Sequence, residues 1–241
     1  MSVNSFTKHE PLIFKTGSNI KLIHRAEYCK SIIADGKELI TGNERGKIRV
    51  PELNDEKVYI TFKEDVTDLS NAFLRCYALI SVPENLFANN QKVTNFSFTF
   101  ALCKSLKSIP TGLFAHNKEV TDFSVTFFDC SSLTSIPEKL FANCPKVTDF
   151  YAIFEYCTSL TSIPSSLFDN NRKVKDLTYA FDGCSALTGE SPYTMIGDKK
   201  VHLYERADYP KHFTTPTDFW KCFYDCTGLT DYNQIPSDWK L

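Results

Sequence analysis

Glycine and methionine are scarce in this sequence, with 9 Gly and 2 Met among 241 residues. No Gly-rich phosphate-binding loop occurs, and no Gly-x-Ser-x-Gly nucleophile elbow or His-Glu-x-x-His zinc-protease motif is found. The common sequence signatures of enzymes are therefore missing. We predict a protein without catalytic residues, bound metal or cofactor.

An excess of charge of either sign is also missing. The formal net charge is −2, which gives no electrostatic reason to expect nucleic acid or an anionic membrane as the partner. No apolar run approaches the roughly 18 residues of a membrane span. The N-terminus lacks the basic start and apolar stretch of a secretory signal, so we expect a protein that stays inside the cell unless a signal has been removed.

What the sequence does contain is a repeat of 27 residues. The segment "SLTSIPEKLFANCPKVTDF" (132–150) is matched by "SLKSIPTGLFAHNKEVTDF" (105–123) and "SLTSIPSSLFDNNRKVKDL" (159–177). Aligned units begin at Val66, Val93, Val120, Val147 and Val174, and a sixth begins at Pro216 after roughly 15 extra residues. One unit cannot bury its own apolar face, but stacked copies can.

Two columns of the repeat are nearly invariant, a Phe and a Cys three residues later. Their members are Phe73 and Cys76, Phe100 and Cys103, Phe127 and Cys130, Phe154 and Cys157, Phe181 and Cys184, and Phe223 and Cys226. A Leu follows each Cys, and a second Phe column runs Phe87, Phe114, Phe141 and Phe168. We predict an α+β solenoid in which each coil packs on equivalent residues of the next, with these columns as the structural ladder.

Each unit divides into two similar halves, "VTDFSVTFFDC" and "LTSIPEKLFANC" in the third coil. Val, Ile, Thr and Phe favour strands. Phe123, Phe127 and Cys130 have the i, i+4, i+7 spacing of one helical face. The sequence therefore predicts a short strand and a short helix in each half. An Asn or Cys column (Asn90, Asn117, Cys144, Asn171) marks the equivalent position of the second half.

The aromatic-x-x-Cys-x-x-Leu run with its Ile-Pro strand end resembles bacterial leucine-rich-repeat proteins of the BspA-like type. The motifs cover about 175 residues, from Val66 to the C-terminus. The resemblance implies a right-handed leucine-rich-repeat stack in a cell-surface or secreted adhesion protein, which would contact a host or matrix protein. It implies no catalytic residues. Because no signal peptide is apparent, a cytoplasmic location stays open.

Regions without the repeat flank this stack. Residues 1–65 contain several short strand-like runs and an "ADGK" hairpin signal, which together predict an antiparallel β cap on the first coil. Residues 66–241 form the predicted solenoid, with an insertion at about 189–215 and both tryptophans in a C-terminal cap. We expect a monomer.

The Cys, Asp/Asn and Phe columns could each have a chemical role, but a structural role explains each of them more simply. The odd count of nine Cys leaves at least one thiol unpaired, and a linear column does not converge on a metal, so we favour buried thiols over disulfides or a zinc site. The Asp/Asn column (Asp68, Asn95, Asp122, Asp149, Asp176, Asp218) could hold Ca²⁺, but we favour helix capping. We assign the Phe columns to the core rather than to a stacking platform for bases or sugars.

Variable columns point to the binding surface. One runs Asn71, Phe98, Val125, Ala152, Tyr179 and Lys221, and another runs Arg75, Leu102, Asp129 and Tyr156. We interpret both as exposed and predict that Phe98, Val125 and Tyr179 contact a protein partner. The alternatives are a carbohydrate-binding module, which would show clustered aromatics with paired carboxylates, and a cytoplasmic interaction scaffold.

Overall fold

The computed structural model describes residues 10–40 and 45–241. Within these ranges the regular elements are short strands and 3₁₀ helices, with no α-helix. The strands are β1 (Leu12–Phe14), β2 (Gly17–Ile23), β3 (Cys29–Ala34), β4 (Lys37–Glu38), β5 (Ile48–Leu53), β6 (Lys57–Phe62), β7 (Leu79–Ser81), β8 (Tyr193–Ile196) and β9 (Lys199–His202). The 3₁₀ helices are Ala26–Tyr28, Leu203–Asp208 and Ser237–Trp239.

The N-terminal strands form two antiparallel sheets. One has the order β4-β3-β6-β1-β7, and the other pairs β2 with β5. The predicted "ADGK" hairpin is confirmed: β3 and β4 pair across Asp35 and Gly36, which have φ of 48° and 70°. Positive φ at both central residues is the requirement of the hairpin turn that matches strand twist.

This N-terminal unit is joined to the first coil of the repeats. Strand β7 lies inside the first repeat and pairs with β1. The free backbone carbonyls of the first coil also find donors, because the N–H of His24 bonds to the oxygen of Ala72 at 2.7 Å and the Lys21 ammonium bonds to the oxygen of Leu74. The N-terminal unit therefore supplies the hydrogen bonds that a preceding coil would have made.

Successive repeats are held together by an alternating pattern of backbone hydrogen bonds. In the first coil the N–H groups of Leu69, Asn71, Phe73 and Arg75 bond to carbonyls 26 residues ahead, at 2.8–3.0 Å. The N–H groups between them turn back on their own coil, as in Ala72 to Leu69 at 3.2 Å. The same alternation recurs through the fifth coil, where Phe181 bonds to Cys222 across the insertion. We call this arrangement the turn ladder.

The predicted short helices are wrong, and the turn ladder explains why. In an α-helix each N–H group bonds to the carbonyl four residues back. Here alternate N–H groups bond to the next coil, and the others bond to the carbonyl three residues back and close four-residue turns. Two positions in each coil have left-handed backbone, with φ of 50–63° at the eleven non-glycine residues. The predicted strands within each coil are also mostly absent, and parallel bridges at the Asp/Asn column stand in their place.

The other half of each coil is tied by side chains. Asn117 Nδ2 donates to the carbonyl of Asn90 at 2.8 Å, Cys144 Sγ to that of Asn117 at 3.4 Å, and Asn171 Nδ2 to that of Cys144 at 2.8 Å. The Asn-or-Cys column is thus a hydrogen-bonded ladder in which a thiol and an amide play the same part. Threonines form parallel ladders beside it, such as Thr121 Oγ1 to the Thr94 carbonyl at 3.3 Å.

Phenylalanine fills the space between the two halves. Rings of the first Phe column stack on their neighbours, with centroids 5.3 Å apart for Phe73 and Phe100 and 5.5 Å apart for Phe100 and Phe127. The second column stacks at 6.0–6.3 Å. A third column that the sequence analysis did not separate (Phe96, Phe123, Phe150) fits between them. Aromatic stacking in register therefore accompanies each coil-to-coil contact.

The C-terminal cap ends each of these ladders with a different group. Strands β8 and β9 form a hairpin within the insertion. The buried Arg206 donates to the carbonyls of Asn171 at 3.0 Å and Phe168 at 2.9 Å, where another coil would have placed an Asn or Cys. The Trp239 carbonyl accepts from Phe223 N at 2.8 Å and ends the turn ladder. The other tryptophan, Trp220, is 50% exposed.

We predict that Phe127→Ala lowers the free energy of unfolding by about 3–5 kcal/mol, because the ring is fully buried between two stacked neighbours. Val125→Asn should change it by less than about 1.5 kcal/mol. Val125 has φ of 59°, so its replacement relieves left-handed strain while losing a small buried surface. Urea midpoints of both variants test this, and equal losses would contradict it.

Candidate functional site

The outward side chains of the turn ladder form one continuous surface, which we call the turn face. It consists of residues 70, 71, 74 and 75 and their equivalents in the next five coils. Both variable columns lie on it, and they coincide with the two left-handed positions of each coil. The backbone therefore fixes the conformation of these positions and leaves their side chains free to differ.

The three predicted binding residues lie on the turn face but differ in exposure. Phe98 is 40% exposed and Tyr179 is partly buried. Val125 is 7% exposed and Ala152 only 1%, because they pack with Ala101 in a small cluster under larger neighbours. The prediction that the whole column is exposed is therefore wrong for Val125 and Ala152. Val125 cannot offer a partner much surface.

The structural ladder residues lie inside. Each Phe and Cys of the five pairs from Phe73 to Cys184 has zero exposure. The thiol of each Cys after the first donates to the carbonyl of the Phe one coil earlier, for example Cys130 to Phe100 at 3.3 Å and Cys157 to Phe127 at 3.2 Å. All nine cysteines are free and buried, and burial raises the pKa of each thiol. These columns are packing and hydrogen-bonding devices.

The Asp/Asn column caps turns rather than the predicted helices. Asp149 Oδ1 accepts the N–H of Tyr151 at 2.8 Å, and Asn95 Oδ1 accepts that of Ser97 at 2.7 Å. Burial is the main reason that the pKa of Asp149 is raised to about 6, and the carboxylates of Asp122, Asp176 and Asp218 add to it. Within residues 10–40 and 45–241 no group of three or more His, Cys, Asp or Glu is placed to hold a metal ion.

Aromatic side chains gather on the C-terminal half of the turn face. Tyr179 makes edge contacts with Tyr151, at 5.7 Å between centroids, and with Trp220, at 5.3 Å. The Lys221 ammonium lies 4.6 Å from the ring centroids of both Trp220 and Tyr224. Sequence analysis missed Tyr151 and Tyr224 and placed Trp220 in the C-terminal cap, because all three fall outside the two variable columns. Two of them could have been found by comparing one column between coils, because Ser124 is replaced by Tyr151 in the next coil and by Trp220 in the sixth.

Two carboxylates lie among these rings in neighbouring coils. Asp182 is 6% exposed and Glu155 is half-buried. Burial and the nearby Asp182 raise the pKa of Glu155 to about 7. Burial likewise raises the pKa of Asp182, against the attraction of Lys221. In the described part of the chain neither carboxylate is in a salt bridge or a side-chain hydrogen bond, and the ammonium of Lys221 attracts Asp182.

We call this region of the turn face the acidic–aromatic patch. It consists of Tyr151, Glu155, Tyr156, Tyr179, Asp182, Trp220, Lys221 and Tyr224.

A Ser-His-Asp cluster in the C-terminal cap has different geometry from a hydrolase triad. Ser191 Oγ lies 2.9 Å from His202 Nδ1 and donates to Asp231 Oδ2 at 2.5 Å, while the same Oδ2 lies 3.5 Å from that Nδ1. In a triad, serine and aspartate occupy opposite nitrogens of the imidazole. Here they share one, and Ser191 is 1% exposed. These hydrogen bonds join the β8–β9 hairpin, through Ser191 and His202, to Asp231 in the last coil.

Of the residues that the structure describes, none belongs to a helix both long and apolar enough to span a bilayer.

Comparison with known proteins identifies no family. No protein-family model matches the chain, and no curated protein matches it. Among solved structures, the crystal structure of the TLR13-ssRNA13 complex is similar at 17% identity and a TM-score of 0.24, over 49% of this chain and 22% of that chain. The chain thus spans less than a quarter of that protein's length. A TM-score so low carries no argument about fold or ligand.

We predict that Asp149→Asn flattens the dependence of stability on pH. The folded-state pKa of about 6 exceeds the ordinary 3.8, so between pH 4 and 6 the folded protein holds a proton that the unfolded chain releases. The free energy of unfolding of the wild type should therefore fall as the pH rises through this window. The Asn variant keeps the turn cap, as Asn95 does, and should be the more stable protein at pH 7.

Urea unfolding at pH 4, 5, 6 and 7 measures this effect. The reverse change, Asn95→Asp, is the matched control and should steepen the fall, because it places a carboxylate between Asp68 and Asp122. Identical slopes in Asp149→Asn and the wild type would contradict the assignment.

We predict that the folded protein reacts slowly with a thiol reagent at pH 8, since only the thiolate reacts and burial suppresses it. Denatured protein should then reveal close to nine thiols. A deficit of two or more after denaturation without reductant would indicate disulfides and refute the ladder of free thiols.

Proposed function

We propose that this protein is a non-catalytic binding module that recognises a protein partner through its turn face. The observation that carries the proposal is the cluster of exposed aromatic side chains on that face. Tyr151, Tyr156, Trp220 and Tyr224 are 37%, 46%, 50% and 44% exposed. The core already holds three ordered columns of Phe, so packing does not account for these four rings.

Exposed aromatic clusters are typical of interaction sites. Tyr and Trp bury a large area with little loss of rotamer freedom, and they are enriched among the residues that dominate binding energy. Six coils at about 4.8 Å give a face roughly 25–30 Å long. That length suits a standard protein interface better than a small-molecule cleft.

The proposal also covers the type of solenoid that the coils form and the place in the cell where the protein acts. The stacked coils would form a right-handed, leucine-rich-repeat-like solenoid of the BspA-like type, acting in adhesion at a bacterial cell surface. Support comes from the aromatic-x-x-Cys-x-x-Leu repeat and from coil contacts that recur every 27 residues. A monomer would bind the partner with several coils at once. A cytoplasmic scaffold is the alternative setting for the same surface.

Carbohydrate binding is the second candidate. Trp220 and Tyr179 lie beside the carboxylates of Asp182 and Glu155, and stacking rings with paired acids also suit a sugar. The exposed rings are spread from Tyr151 in the fourth coil to Tyr224 in the sixth, which favours the protein partner, because a short glycan would contact only one or two coils.

A screen on immobilised host-matrix proteins and a glycan array tests the proposal. We expect a matrix protein to bind the wild type and to bind the double variant Tyr151→Ser/Tyr224→Ser at least about tenfold more weakly. Met195→Ser is the matched control, since Met195 is 50% exposed on β8, away from the turn face. It should bind like the wild type.

Two results would overturn the proposal. Equal binding by the wild type and the double variant would remove the turn face as the binding surface. Tight binding of one short glycan, with no protein bound, would promote the carbohydrate alternative.

A further inference from the structure

The acidic–aromatic patch already holds one ammonium group of the chain itself. Lys221 Nζ lies between the rings of Trp220 and Tyr224, 4.6 Å from each centroid, and it attracts the carboxylate of Asp182. Aromatic faces bind cations through their negative quadrupole, and a nearby carboxylate adds to this. The chain thus shows at one position which chemical group this surface accommodates.

The neighbouring position shares Asp182 and has the same kinds of group, but Lys221 lies against Trp220 and Tyr224 rather than against the rings of this position. Tyr156 and Tyr179 supply the rings, while Glu155 and Asp182 supply the charge. Asp182 is 6% exposed, and among the described residues its carboxylate is in no salt bridge or side-chain hydrogen bond and is attracted by Lys221. Burial disfavours the charged forms of Glu155 and Asp182, and a cation placed beside them would favour those forms.

The patch is held in place by the backbone. Tyr156 N donates to the carbonyl of Asp182 at 2.8 Å, which fixes the two coils in register beside Glu155. The ring of Tyr156 lies against Gly183, where a Cβ would come within 2.5 Å of it. The other coils have a side chain at the position of Gly183, and the missing side chain here leaves room for the ring of Tyr156. A partner would meet side chains that are already placed.

We propose that the acidic–aromatic patch binds a lysine- or arginine-bearing segment of the protein partner, with the cationic side chain between Glu155, Asp182 and the ring of Tyr156. This inference rests on the proposed function and names the chemistry of the partner. Nucleic acid fits poorly, because its phosphates would meet Glu155, Asp182 and Asp225. The described residues contain no group of three or more His, Cys, Asp or Glu placed to hold a metal ion.

Nine-residue peptides of the form (Gly-Lys-Gly)₃ provide the probe. Their acetyl-lysine and glutamate counterparts keep the length and change only the charge. Titration calorimetry measures binding, and the emission of the exposed Trp220 reports whether the peptide reaches the patch. We expect the lysine peptide to bind more tightly than either counterpart, and its affinity to fall with added salt.

The double variant Glu155→Gln/Asp182→Asn removes the charge and keeps the shape. We expect it to lose at least about tenfold in affinity for the lysine peptide. The matched control is Glu119→Gln/Asp198→Asn, which removes two exposed carboxylates away from the turn face and should bind like the wild type. Thermal unfolding checks that both variants fold, and the acetyl-lysine comparison on the wild type stands independently of either variant.

The inference is overturned if acetyl-lysine and lysine peptides bind the wild type equally, if the Gln/Asn variant keeps full affinity, or if a neutral oligosaccharide displaces the peptide. Failure here is separable from failure of the proposed function. A matrix protein that binds the Gln/Asn variant normally but not Tyr151→Ser/Tyr224→Ser would leave the turn face as the interface and exclude only the basic segment.

Discussion

The structure depends on how the turn segments divide their backbone N–H groups. Alternate groups bond within the coil and to the next coil, so every coil supplies the carbonyls that the previous one requires. This division obliges two residues per coil to adopt left-handed backbone, at about 1–2 kcal/mol for a residue other than glycine. The inter-coil hydrogen bonds and the stacked Phe columns must offset that cost. Neither would exist in an isolated unit, which is why the fold needs several coils.

The sequence predicted the stacking and the identity of the inward columns, because a 27-residue period with recurring Phe and Cys leaves few other arrangements. It did not predict the local conformation. The segments 69–76 and 123–130 place inward residues four and then three positions apart, which averages close to the 3.6 of a helix. Phe123, Phe127 and Cys130 were therefore taken for one helical face. Nothing in the identity of Val125 or Phe98 indicates positive φ, since β-branched and aromatic residues seldom adopt it.

The same conformation explains why the binding surface was only partly predicted. Variation between coils was interpreted as exposure, and the inference holds for Phe98 but fails for Val125. At a left-handed position the fold depends on the backbone conformation rather than on the identity of the side chain. The side chain therefore varies between coils whether it is exposed or buried. The better signal was the appearance of large aromatics where earlier coils have serine. That signal depends on comparing coils along one column, and it leads to Tyr151 and Trp220.

The C-terminal cap links core stability to the candidate surface. The insertion leaves the stack between the fifth and sixth coils, yet the ladder continues across it, with Leu177 N bonded to the Asp218 carbonyl at 2.7 Å. Arg206, within the insertion, closes the Asn ladder on one side, while the Trp239 carbonyl closes the turn ladder on the other. The sixth coil, which is hydrogen-bonded to the fifth coil and to Trp239, contributes Trp220, Lys221 and Tyr224 to the acidic–aromatic patch. These three side chains of the patch therefore depend on the backbone bonds that hold the sixth coil in register with the fifth, such as Tyr179 N to the Trp220 carbonyl at 3.0 Å.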